Sequence, residues 1–64
     1  MLIKKVTELE ANQAVKYIGK GFLTFDPSQP EMIFISYDGI ADAYVIYKGE
    51  RLLVRRYEIV PLSA

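Results

Sequence analysis

The chain has no cysteine, no histidine and no tryptophan. Without cysteine there is no disulfide and no thiolate metal site, and without histidine the commonest ligand of zinc, haem and copper is gone. The same gap removes the usual general base. Ser28, Ser36, Ser63, Thr7 and Thr24 have no imidazole to activate them, and the Gly19-Lys20-Gly21 stretch lacks the remaining spacing of a phosphate-binding loop. The residues therefore point away from an enzyme and call for no cofactor and no metal. Charge of either sign is not in excess: eight Lys plus Arg balance eight Asp plus Glu, with an isoelectric point near 6.1. A dedicated nucleic-acid binder commonly carries a basic surplus, because phosphate neutralisation supplies most of its non-specific affinity. No apolar run approaches the roughly 20 residues needed to cross a bilayer. The opening MLIKKVTELE sets charges where a signal peptide needs its apolar segment, so a cytoplasmic protein with no membrane partner is the expectation.

What is abundant is apolar surface. Hydrophobic residues make up 52% of the 64 positions, with five Tyr and three Phe. A domain of this length buries a smaller share of its surface than a larger one does, and covering the excess against a second copy is a natural solution. A single domain over residues 1–64, assembled as a homo-oligomer, is expected.

No repeat or linker divides the chain. The one break in composition is Asp26-Pro27-Ser28-Gln29-Pro30-Glu31, whose two prolines mark a loop that could serve either as a contact surface or as a plain connector. Three strand-like runs follow, at residues 32–37, 42–48 and 51–60. They are joined by Asp38-Gly39 with a few further residues and by Gly49-Glu50, connections short enough for antiparallel hairpins. Neither face of these strands reads as polar: Ala43, Val45 and Tyr47 share one side, Tyr44 and Ile46 the other. Such a sheet is either curled on itself or covered by a partner on its second face. Within Arg51–Val60 the alternation fails at Arg55 and Arg56, which would place a charge in the core on either phase. A bulge or single helical turn near Arg55–Tyr57 is expected to reset it.

Residues 7–18 admit two readings. Thr7 as N-cap, Glu10 as its capping-box partner and a stripe of Ala11, Ala14, Val15 and Ile18 describe a helix, which would give an α+β fold with that helix on a three- to four-stranded sheet. The preferred reading is a turn at Asn12, which tolerates left-handed backbone, feeding a strand through Val15 and Tyr17.

Leu9-Glu10-Ala11-Asn12-Gln13-Ala14-Val15-Lys16-Tyr17 resembles the entry into SH3-like small barrels, in which a Leu precedes a tight turn and a strand of Val-x-Tyr type. Arg55-Arg56-Tyr57-Glu58-Ile59-Val60-Pro61-Leu62 is similar to their short helical turn and closing strand. The resemblance implies an all-β fold, an SH3-like small barrel of about five antiparallel strands, with Ile59 returning to the core. Two departures stand out: Asn12 replaces the usual Gly, and the paired Trp of peptide-binding SH3 domains is missing, so proline-rich peptide recognition in that manner is not implied.

The candidate binding surface combines Tyr44, Tyr47 and Tyr57 with Arg51, Arg55 and Arg56. Two functions fit it. The first is a non-enzymatic module that binds protein, itself or a partner, through an aromatic and apolar face. The second is a nucleic-acid-binding barrel in which the tyrosines stack bases and the arginines line a groove. A plainer account keeps the tyrosines in the barrel wall, with the arginine stems lying over them. Asp38 and Asp42 flank a turn and offer too few oxygens at too wide a spacing for a hard cation.

Overall fold

A computed structural model of the protein describes residues 9–62. Its five strands are β1 (Ala14–Tyr17), β2 (Glu31–Asp38), β3 (Asp42–Tyr47), β4 (Glu50–Arg55) and β5 (Ile59–Pro61), with a 3-10 turn at Arg56–Glu58. They form one antiparallel sheet in the order β4-β3-β2-β1-β5.

Each element follows from local chemistry. Asn12 takes φ 70°, the left-handed conformation its short polar side chain tolerates, and its N–H donates to the Phe34 carbonyl at 2.7 Å. The turn reading of residues 11–13 is therefore correct, and the α+β alternative fails because the stripe it needed lies in a turn and a strand. Its N-cap, Thr7, lies outside the described residues. Lys48 and Gly49, at φ 51° and 82°, form a two-residue connection closed by the Tyr47–Glu50 pair, a primed turn whose twist matches that of its strands. The expected break in the last run is present as well: the 3-10 turn begins at Arg56, directly after β4.

Alternation puts Val15, Tyr17, Met32, Phe34, Ala43, Val45, Tyr47, Val54 and Ile59 on one face, and these residues are the core. In β2 the register shifts between Phe34 and Ser36, so Ile35 is an extra residue and Tyr37 returns to the core side opposite Ala43. The segment between β1 and β2 folds back over this face. Phe22 and Phe25 pack on Tyr17 and Tyr47 with ring centroids 4.8 to 5.8 Å apart, distances at which aromatic pairs add to simple burial. The Tyr47 hydroxyl accepts from the Asp26 N–H at 2.9 Å and fixes the far end of the loop.

The expectation of a closed barrel is corrected. β4 and β5 are the two edges of the sheet and no ladder joins them. β4 runs straight into the 3-10 turn, while β5 has three residues and ends at Pro61, which has no N–H to donate. Across the open seam, Tyr17, Phe22 and Glu58 face Leu52 and Val54 along a shallow cleft.

The left-handed turn at Asn12 gives a direct test. Asn12→Gly is expected to leave stability within a few tenths of a kcal/mol, whereas Asn12→Val is expected to cost about 1–2 kcal/mol, because a branched Cβ is crowded at positive φ. Urea denaturation of both variants checks this, and equal stability of the two would count against the turn.

Candidate functional site

The Arg55–Arg56 pair divides between the two sides of the sheet. Arg55 is the last residue of β4 and points away from the core, with Nε 3.5 Å from the Asp42 carboxylate on the neighbouring strand. Arg56 starts the 3-10 turn and goes the other way. Its guanidinium lies 3.9 Å from the centroid of Tyr37 and donates to the Ile40 carbonyl, and its N–H donates to Ala41. It ties the β2–β3 connection to the turn.

Glu58 anchors the same turn. One carboxylate oxygen accepts from the Arg55 N–H at 3.0 Å and the other from the Tyr17 hydroxyl at 3.4 Å, while the Glu58 carbonyl accepts from Ile18 N–H. Gly19 passes so close that an added Cβ would lie 2.5 Å from both the Tyr17 hydroxyl and Glu58. This packing explains the glycine without any ligand.

Of the six residues singled out in the sequence, Tyr44, Arg51 and Arg55 lie together on the outer face of the sheet. The Arg51 guanidinium stacks over Tyr44 at 4.4 Å. Tyr47 does not share that surface: it is 3% exposed, inside the aromatic cluster. Arg56 belongs to the core side, over Tyr37. Tyr57 is 73% exposed but stands apart, beside Ile18 and Lys20 at the 3-10 turn.

The outer face holds apolar residues that composition alone did not single out. Cross-strand register sets Ala14, Ile33, Ile46 and Arg51 in one row, Ser36, Tyr44 and Leu53 in the next, and Asp38, Asp42 and Arg55 in a third. Ile33 is 40% and Leu53 52% exposed, and no described element covers them. The signal was present in the alternation, where neither side of the strands was polar.

Charges on this face balance. Lys16, Arg51 and Arg55 stand against Glu31, Asp38 and Asp42. Asp38 sits directly opposite Asp42, and among the described residues no ion pair is formed by Asp38, Glu31 or Arg51. No group of three or more metal-ligating side chains occurs among the described residues, and none of their helices is long and apolar enough to cross a membrane. No protein-family model matches the chain, and neither a curated protein nor a solved structure is significantly similar to it.

At the opposite side, Asp26 closes the aromatic loop. Its carboxylate accepts from Ser28 Oγ at 2.7 Å and Ser28 N–H at 3.0 Å, with the Lys48 ammonium at 3.4 Å. These hydrogen bonds, those of Ser28 foremost, hold the carboxyl below the usual aspartate range against a smaller desolvation effect. A depressed folded value means that the contribution of Asp26 is fully present above the unfolded pKa and is lost as pH falls through the folded one. Carbon-detected NMR titration is expected to find Asp26 below an ordinary aspartate and to find it raised in Ser28→Ala. An unchanged midpoint in that variant would remove Ser28 as the cause.

Proposed function

We propose that this chain is a non-enzymatic interaction module of SH3-like type, opened at one seam, which binds protein through the outer face of its sheet. One observation carries the reading: Ile33, Ile46, Tyr44 and Leu53 form an apolar band across three neighbouring strands, with no described element above it. A sheet buried on one face ordinarily turns a polar face to water, and an apolar second face marks a place where something docks. The 3-10 turn between β4 and β5 lies where the SH3-like resemblance calls for one, and it supports the architectural half of the proposal.

Protein is favoured over nucleic acid by the balance of charge. Arg55 is engaged by Asp42, and Glu31 and Asp38 lie on the same face, so a phosphate backbone would meet carboxylates as often as cations. The stacked Tyr44–Arg51 pair suits the centre of a protein interface, where Tyr and Arg are over-represented.

Photo-crosslinking in cells tests the reading. A benzophenone side chain at position 53 is expected to give protease-sensitive adducts, and the same group at position 27 in the loop is expected to give none. Nuclease-sensitive adducts at position 53, or protein adducts at position 27 alone, would overturn it.

A further inference from the structure

The outer face has a second property besides being apolar: across β2, β3 and β4 its charges are sorted by strand. Arg51 and the Asp42-paired Arg55 lie on β4, whereas Glu31 and Asp38 lie on β2, and the apolar pair Tyr44 and Ile46 of β3 runs between them; Lys16 stands outside this strip, on β1. Glu31, Asp38 and Arg51 form no ion pair within the chain among the described residues. A three-stranded strip with cations on one outer strand, carboxylates on the other and apolar residues between them is complementary to its own copy when turned over.

We infer that the occupant of this face is a second copy of the same chain, seated face to face about a two-fold axis that runs along β3. The inference rests on the reading of that face as a protein-binding surface and names its partner. Rotation about such an axis lays β4 of each copy over β2 of the other. By register, Arg55 then faces Asp38 of the second copy and Leu53 faces Ser36. Arg51 lies over Ile33, one outward position from Glu31. On β3, Tyr44 meets Tyr44 and Ile46 meets Ile46. Asp42 lies opposite its counterpart, and Arg55, its partner within the chain, is shared with Asp38 of the second copy. An axis set across the strands would instead bring Asp38 toward Glu31 and Arg55 toward Arg51 of the second copy, like charges at both margins, against the single Asp42 pair of the strand-parallel axis. Charge therefore selects the strand-parallel axis.

The expected strength follows from size. Such an axis overlaps three strands of each copy, β2, β3 and β4, which at about 4.8 Å spacing and about 20 Å length present on the order of 300 Å² of projected area. That places the pair below about 1,200 Å² in total, among weak and transient interfaces, with a dissociation constant in the upper micromolar range.

Sedimentation equilibrium of the full chain, from about 1 to 500 μM, tests the inference. The wild type is expected to dimerise. Arg51→Glu and Glu31→Arg, both at exposed positions and checked for fold by circular dichroism, are each expected to weaken dimerisation by about tenfold or more. An equimolar mixture of the two variants is expected to recover it, because wherever positions 51 and 31 of unlike copies approach, opposite charges meet again. A wild type that stays monomeric at the highest concentration overturns the inference, and so does a mixture that associates no better than its components. If the wild type is monomeric while crosslinks from position 53 reach a different protein, the second copy is excluded and the face remains a protein-binding surface. If position 53 gives no protein adduct at all, both fail.

Discussion

The fold depends on how the single sheet of the described residues keeps one face dry. Five short strands can bury an apolar face only by curling over it or by recruiting other chain, and here the loop between β1 and β2 supplies much of the cover. Phe22 and Phe25 lie on Tyr17 and Tyr47 as a packed aromatic group. The two tyrosines also give that loop its polar anchors. The Tyr17 hydroxyl accepts from Gly21 N–H near its start, and the Tyr47 hydroxyl accepts from Asp26 N–H near its end. Because buried phenols need a partner, the hydroxyls fix where the loop lands and the rings keep it there.

The electrostatics follow the same division. On the core side, Arg56 and Glu58 are held by short local contacts that fasten the 3-10 turn to the β2–β3 connection and to β1. Those contacts hold the ends of the sheet in place, and a partner is not needed to explain them. On the outer side, Arg51 and the carboxylates of β2 form no ion pair among the described residues. Arg56 thus completes the fold, whereas Arg51 borders the surface the fold presents.

Much of this was legible wherever one local rule acted alone. Period-two alternation located β2, β3 and β4, Asn12 marked its turn, and the collision of charge with alternation located the break after Arg55. The cover over the core was not legible, because Phe22 and Phe25 occupy irregular backbone where no periodicity reports which way a side chain points. Nor was the extra residue at Ile35, a choice made by pairing with β3. Tyr47 illustrates a different failure. Its phase already placed it with Ala43 and Val45, but grouping residues by aromatic and basic type set it beside Tyr44, on the wrong side of the sheet. The apolar band of the outer face was visible only as an absence of polar alternation, and Leu53 and Ile33 gained significance once register placed them in neighbouring rows.

The two-residue connection at Lys48-Gly49 bears on the order in which the molecule assembles. β2, β3 and β4 are near neighbours along the chain, so little loop-closure entropy opposes their pairing. β1 meets β5 only after almost the whole intervening chain is in place, as the Val15–Pro61 pair requires. Contacts of such different sequence separation form on different timescales, the local ones first. Loop-closure entropy thus favours pairing within the meander and opposes the ladder between β1 and β5, whose strands are brought together from opposite ends of the described chain.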